Sequence, residues 1–225
     1  KTSVSKTDVL SSSLSGPAMS KIICIFGDSI ARGAFDLEKS GWTNRLKMFL
    51  WEENYKKTGY HYKGPDIDVF AVDGDIVTDV VNRFDFEFEA VEKWGIEKVV
   101  FAVGINDSGF ENGEKRNNKK DFRIGLEKLV EKGLKKVAAE NIYFVGLANI
   151  DSSMVKINLK FKEDRIAEFD EIIQEVAEDN SCKFIQIQGL LGKEDLIDGL
   201  HPNSEGHEKM FERVKEFLLE SKVIS

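Results

Sequence analysis

Three side chains from the two ends of the sequence could together form a catalytic triad. Ser29 follows an apolar run at residues 22–26, and Asp198 stands three residues before His201. A serine hydroxyl is a weak nucleophile until a neighbouring base takes its proton, and a histidine serves best when a carboxylate orients its ring. Ser29 is therefore the candidate nucleophile, His201 the candidate base and Asp198 the residue that holds or stabilises the imidazole.

The same chemistry needs hydrogen-bond donors that are fixed in advance. Attack on a carbonyl creates an oxyanion, and donors aimed at it stabilise the transition state. The backbone N–H groups of Ser29 and Gly74 and the side-chain amide of Asn106 could supply three donors. Glycine at position 74 suits a place where the backbone approaches a substrate closely. These residues form the predicted oxyanion hole.

The elements that position these residues follow from the apolar pattern. Five short apolar runs, typical of strands buried on both faces of a parallel sheet, alternate with five amphipathic helical patterns. The predicted strands cover residues 21–26, 67–72, 98–103, 141–147 and 183–187. Strict alternation of this kind predicts a three-layer, doubly wound α/β/α domain with a five-stranded parallel sheet.

This fold would bring the candidate residues to one edge of the sheet. Ser29 follows the first predicted strand, Gly74 the second and Asn106 the third, while Asp198 and His201 precede the last helix. Ligands of such folds bind beyond the carboxyl ends of the strands. We therefore expect four separate segments to converge on one site.

Composition excludes several classes of function. The chain has 225 residues, with 40 acidic and 32 basic side chains and a net charge of −8. Such a surface repels phosphate backbones and anionic lipid, so neither nucleic acid nor a membrane is an expected partner. The two cysteines cannot form a disulfide framework, and their apolar surroundings predict buried thiols in a reducing, cytoplasmic compartment. The oligomeric state stays open.

Residues 1–18 differ in composition from the rest of the chain. They are rich in Ser, Thr and Lys and lack the apolar centre of a signal peptide. We interpret them as an expression remnant or a flexible leader, and residues 19–225 as a single domain.

Four blocks, in this order, give the chain a resemblance to the GDSL or SGNH hydrolase family. The blocks are residues 26–30, Gly74, residues 104–107 and residues 198–202, and the four name-giving positions fall on Ser29, Gly74, Asn106 and His201. The resemblance spans roughly residues 21–218. It implies a flavodoxin-like fold with strand order 2-1-3-4-5 and ester hydrolysis through an acyl-enzyme.

Other residues near the site have simpler interpretations. Asp28 and Asp107 are expected to bond turn amides and cap helices rather than to act as acids or bases. His207 is interpreted as a surface residue, because it stands at a helix start beside Glu205 and Glu208. A metal site with Asp198 is not expected there, since no fourth ligand of suitable spacing appears. No cofactor and no metal are expected.

The function predicted from these features is that of a serine esterase acting on a small-molecule ester. The polar segment Ser108–Asp121, expected to be a solvated loop at the rim, favours a short acyl group such as acetyl, on a sugar or small alcohol. An acyltransferase or thioesterase could use the same site. The competing class is a non-catalytic α/β ligand-binding module.

Overall fold

The computed structural model describes residues 21–59, 65–156 and 158–220. The predicted leader at residues 1–18 lies outside these ranges. The strands of the described part are β1 Ile22–Gly27, β2 Asp66–Ala71, β3 Ile96–Ala102, β4 Phe110–Glu111, β5 Glu114–Lys115, β6 Ile142–Val145, β7 Leu159–Lys160 and β8 Lys183–Ile185. Its α-helices are α1 Ser29–Arg32, α2 Gly41–Thr58, α3 Val77–Val91, α4 Lys119–Leu134, α5 Glu163–Asp179 and α6 Ser204–Glu220.

Five of the strands form an all-parallel sheet. Their order is β2-β1-β3-β6-β8, which is the order 2-1-3-4-5 that the resemblance implied. Helix α2 packs on α6, while α4 packs on both α3 and α5, so that helices cover the sheet and complete the α/β/α layers. From β1 the chain adds β2 on one side, and from β3 onward it adds strands on the other side. The point at which the strand order reverses therefore lies between β1 and β3. A crevice at the carboxyl ends of these two strands is where such folds place their ligands.

The apolar stripe of α3 shows why the helices pack as the sequence predicts. Five of its residues, spaced three or four apart, are buried against the sheet: Val77, Val80, Phe84, Phe88 and Val91. The ring of Phe84 lies 4.7 Å from that of Phe26 in β1, between ring centroids. Burying one such side chain contributes about 1.5–3 kcal/mol. No helix in the described ranges is both long enough and apolar enough to span a bilayer.

The segment after β3 departs from the predicted solvated loop. Strands β4 and β5 form a hairpin there, and β7 pairs with β4 to complete a small antiparallel sheet. The turn is Asn112-Gly113, both with positive φ, which is a strong two-residue hairpin signal. Strands of two residues are too short to show an alternating pattern, so only this turn could have revealed them.

A buried arginine fixes this hairpin to the body of the protein. The Nε atom of Arg165 in α5 donates to the carbonyl oxygen of Ser108 at 2.7 Å, and its guanidinium lies 5.3 Å from the ring centroid of Phe110. Burial lowers the pKa of Arg165, although Glu168 and Asp107 oppose the shift. Arg165 thus anchors the hairpin to α5.

Candidate active site

Ser29 lies on a sharp turn between β1 and the short helix α1. It is the first residue of α1, and Asp28 caps the helix by accepting a hydrogen bond from the Ile30 N–H at 3.0 Å. Gly27 has no room for a side chain, because a Cβ there would lie 2.5 Å from the Cβ of Ala31 and 2.6 Å from the carbonyl oxygen of Ala102. The close packing of strand, turn and helix therefore fixes the position of the serine.

The structure brings the three residues of the predicted triad together. The Ser29 Oγ lies 3.0 Å from the His201 Nε2, although 172 positions separate them in the sequence. The His201 Nδ1 lies 2.8 Å from the Asp198 Oδ2. Ser29 and His201 are each 7% exposed, so their hydrogen bond is largely shielded from water. The result is a continuous hydrogen-bonded chain from hydroxyl to imidazole to carboxylate.

Asp198 is held in its ionised form. Its Oδ1 accepts hydrogen bonds from the backbone N–H groups of Leu200 at 3.0 Å and His201 at 2.8 Å. Burial by itself would raise the pKa of Asp198, but hydrogen bonds from the backbone and ring of His201 and from Leu200 outweigh it and leave the pKa below its ordinary value. An ionised carboxylate at this place favours the tautomer with the proton on Nδ1, which leaves Nε2 to accept a proton.

The loop that carries Asp198 and His201 is closed on itself. Leu196 and Pro202 form an isolated β-bridge, and the Ile197 N–H donates to the carbonyl oxygen of His201 at 2.9 Å. Gly199 turns the loop with a φ of 84°. These bonds fix the positions of the carboxylate and the imidazole relative to each other.

Two of the predicted oxyanion donors, Gly74 and Asn106, lie on neighbouring loops, and the third, the Ser29 N–H, lies on the turn after β1. Asn106 is buried, and its Nδ2 donates to the carbonyl oxygen of Asp75 at 3.1 Å, which ties it to the loop after β2. Gly74 on that loop has a φ of 80°, a left-handed conformation that glycine adopts without strain. Within the described ranges, neither the Ser29 N–H nor the Gly74 N–H donates a hydrogen bond. Both groups are therefore available to a substrate.

Asp28 and Asp107 cap helices, as predicted. The Asp107 Oδ2 accepts from the N–H of Val77, the first residue of α3, at 3.0 Å, and its Oδ1 accepts from the Asn117 amide at 2.7 Å. Burial raises the pKa of each carboxyl to about 7, against the opposing effect of these hydrogen bonds. Part of each population is therefore protonated at neutral pH.

The raised pKa predicts a pH-dependent effect of replacing Asp28 with asparagine. In the folded protein the carboxyl ionises only near pH 7, whereas in the unfolded chain it ionises near pH 4, so its contribution to stability is lost as pH rises between these values. Asparagine still accepts from Ile30 but does not ionise. We expect the free energy of unfolding of Asp28→Asn, relative to the native protein, to rise by on the order of 3 kcal/mol from pH 4 to pH 8. Urea denaturation at several pH values measures this difference, and a difference independent of pH would contradict the assignment.

His207 is buried, which corrects the prediction of a surface residue. It lies on the face of α6 that packs on α2, and its Nδ1 accepts a hydrogen bond from the backbone N–H of Trp42 at 3.3 Å. Burial lowers its pKa to about 4, so the ring is neutral at neutral pH. The helix-start position suggested exposure, but the packing of α2 on α6 decides otherwise. No group of three or more potential metal ligands occurs among the described residues.

Two further residues border the site without having been predicted. The Nη2 atom of Arg116, in the hairpin segment, donates to the carbonyl oxygen of Gly74 at 3.0 Å. The ring of Phe35 lies 4.8 Å from that of His201, between centroids. Phe35 belongs to the loop of residues 33–40 that joins the first two helices, hereafter the α1–α2 loop. Neither residue stands in a pattern that distinguishes it in the sequence.

Comparison with known proteins supports the fold and identifies the family. Among solved structures, Axe2, an acetylxylan esterase from Geobacillus stearothermophilus, is 15% identical with a TM-score of 0.68, over 90% of this chain and 96% of that chain. A lipase/acylhydrolase from Enterococcus faecalis is 21% identical with a TM-score of 0.66, over 88% of this chain and 95% of the other. LAE5, an alpha/beta hydrolase enzyme from the metagenome of Lake Arreo, Spain, is 17% identical with a TM-score of 0.66, over 90% and 97%.

At these identities the structural likeness establishes the fold. No curated protein matches the sequence. The profile of the GDSL-like Lipase/Acylhydrolase family, however, matches residues 25–209, which is most of the chain and includes every predicted site residue. The protein therefore belongs to the GDSL-like lipase/acylhydrolase family and is a hydrolase of ester bonds.

Proposed function

We propose that the protein is a serine esterase in which Ser29, His201 and Asp198 form the catalytic triad. The observation that carries the proposal is the hydrogen-bonded chain from the Ser29 hydroxyl to the Asp198 carboxylate. This arrangement can remove the hydroxyl proton as the oxygen attacks, which is what a serine needs in order to become an effective nucleophile.

In the proposed reaction, His201 acts first as base and then as acid. Nε2 takes the Ser29 proton while Oγ attacks the ester carbonyl, and Asp198 stabilises the imidazolium that forms. The imidazolium then gives its proton to the leaving alkoxide, which leaves an acyl group on Ser29. A water molecule, deprotonated by the same imidazole, hydrolyses this acyl-enzyme and releases the acid.

The oxyanion formed in both steps would be held by the Ser29 N–H, the Gly74 N–H and the Asn106 amide. Asn106 is suited to this role because one of its N–H groups is fixed by Asp75, which orients the amide and leaves its second N–H available. Donors fixed in advance need no reorganisation as the charge develops.

We further propose that the acyl group is short, with acetyl as the leading candidate. The hairpin segment that borders Gly74 presents Arg116 there, and a charged rim disfavours a long alkyl chain. One structural relative, Axe2, is named an acetylxylan esterase, and a variant of the same protein is named an acetyl-xylooligosaccharide esterase. An acetylated sugar or small alcohol is therefore the proposed substrate class.

The proposed function is tested by labelling and by an ester panel. A fluorophosphonate should add one adduct to the intact mass, mapped to Ser29, and acetate esters should be hydrolysed with a higher kcat/KM than octanoate esters. Absence of the adduct, or an adduct that persists in Ser29→Ala, would overturn the assignment of the nucleophile. An equal or higher kcat/KM on octanoate would overturn the short-acyl proposal. Addition of alcohol acceptors reveals any transferase activity as transacylated product.

Removal of the Asn106 amide tests the oxyanion hole. We expect Asn106→Ala to lower kcat by about 10²–10³-fold, because loss of one oxyanion donor costs roughly 3–4 kcal/mol of transition-state stabilisation. Fluorophosphonate labelling of Ser29 should persist, since the nucleophile and base remain in place. A kcat within tenfold of the native value, which corresponds to a loss of at most about 1.4 kcal/mol of transition-state stabilisation, would contradict the role of Asn106.

A further inference from the structure

The α1–α2 loop places an aromatic ring directly against the candidate base. The ring of Phe35 meets the imidazole of His201 edge to face, with an interplanar angle of 65° and 4.8 Å between centroids. Phe35 is nevertheless 56% exposed. The ring therefore covers one side of the imidazole and presents the rest of its surface to whatever enters the site.

The backbone of Phe35 is strained in order to achieve this. Its φ is +66°, in the left-handed region, which glycine and asparagine tolerate but a bulky side chain rarely adopts. Such a conformation is unfavourable for a bulky side chain and is characteristic of functional sites. The half-exposed ring buries too little surface to make this conformation favourable by packing alone.

The surrounding loop enforces the conformation. Gly33 and Gly41 approach each other so closely that a side chain on either would collide with the backbone of the other. Between them, the Asp36 carboxylate accepts from the Gly41 N–H at 2.8 Å and pairs with Arg45 of α2, and both of these charged side chains are buried. Phe35 is thus fixed by its neighbour Asp36 rather than by its own contacts.

The chemistry of the site determines which half of an ester would meet this ring. This step rests on the proposed function. When Oγ of Ser29 bonds to the acyl carbon, the leaving oxygen must come within hydrogen-bond reach of the His201 Nε2 in order to take its proton. Carbon atoms attached to that oxygen then lie beside the imidazole, where Phe35 stands. The acyl chain leaves the same carbon along a different bond.

We infer that Phe35 is a specificity-determining residue that contacts the alcohol half of the ester. The face of its ring carries partial negative charge, which favours contact with C–H groups. It selects alcohols that present a ring or another face rich in C–H bonds, such as a saturated cyclic alcohol or a pyranose.

Two isomeric esters separate the alcohol half from the acyl half. Cyclohexylmethyl acetate carries its ring on the alcohol, and methyl cyclohexylacetate carries the same ring on the acid. The quantity to measure is the ratio of kcat/KM for the first ester to that for the second. Any general effect on the imidazole or on folding lowers both rates and cancels in this ratio.

The ring is best removed by Phe35→Asn, because asparagine tolerates the left-handed conformation and keeps the loop in place. We expect the ratio to fall by roughly 3- to 10-fold, the range of a single aromatic contact. Leu37→Ala is the matched control, because it removes a fully solvated apolar side chain from the same loop and should leave the ratio unchanged.

An unchanged ratio in Phe35→Asn, or an equal loss on both esters, would overturn the inference. The failure of the proposed function has a different signature. In that case the native protein would hydrolyse neither ester and would gain no fluorophosphonate adduct on Ser29, and the inference would fall with it.

Discussion

Ser29→Ala is expected to lower kcat/KM for every hydrolysed ester by about 10⁴–10⁶-fold, the loss typical of removing a triad serine. The variant keeps the backbone N–H groups and the Asn106 amide, so a small residual rate should remain. Its thermal unfolding midpoint should not change, because Asp28 caps α1 and the Ser29 hydroxyl bonds only to His201 in the described part of the chain. Steady-state kinetics and a thermal melt measure the two quantities.

A double variant provides the control for this prediction. If Ser29 and His201 act as one unit, Ser29→Ala combined with His201→Ala should be no slower than Ser29→Ala alone. Losses that multiply would show two independent roles. A Ser29→Ala protein that kept more than a tenth of the native rate would exclude Ser29 as the nucleophile.

Arg45→Ala is expected to destabilise the protein by about 3–5 kcal/mol, the cost of leaving a buried carboxylate without its partner. The Arg45 guanidinium pairs with Asp36, lies 2.9 Å from the Glu208 carboxylate through Nε, and donates to the Ser204 carbonyl oxygen at 2.9 Å. It therefore links the α1–α2 loop to α6. Burial by itself would raise the pKa of Asp36, but the hydrogen bond from Arg45 and the bond from the Gly41 N–H hold it far below its ordinary value. Urea denaturation at neutral pH measures the loss.

Two comparisons distinguish the charge pair from a general effect of mutation. Asp36→Ala combined with Arg45→Ala should cost less than the sum of the single variants, since removing both partners leaves no isolated buried charge. Lys56→Ala breaks the exposed ion pair with Glu53 and should have no measurable effect. Additive losses, or a comparable loss in Lys56→Ala, would show that the buried pair has no special role.

The sequence by itself predicted the fold and the residues of the candidate site. Apolar runs that alternate with helical stripes specify a doubly wound sheet, because each pattern can bury its apolar face in only one way. Ser29, Gly74 and Asn106 each follow a predicted strand, and parallel strands bring such positions to a common edge. The Asn112-Gly113 turn was equally visible and would have predicted the hairpin between β4 and β5.

The predicted ends of the strands were less accurate than their positions. A strand ends where its pairing with a neighbouring strand ends, and local composition does not determine that point. The fourth predicted strand, for example, extends over residues 141–147, whereas β6 covers Ile142–Val145. The Gly146 N–H still bonds to the carbonyl oxygen of Ile185, but the ladder ends there. A local pattern carries no information about where a distant partner strand stops.

Only the tertiary structure decided how the candidate residues meet. The contact between Ser29 and His201 depends on packing that spans almost the whole domain. The burial of His207 follows from the way α2 and α6 face each other. The placement of Phe35 follows from the buried pair of Asp36 and Arg45, which forces a strained backbone that no local propensity would favour. Sequence periodicity identifies which residues are apolar and which segments end at the site, whereas distances, burial and strain arise from contacts between segments that are far apart in the chain.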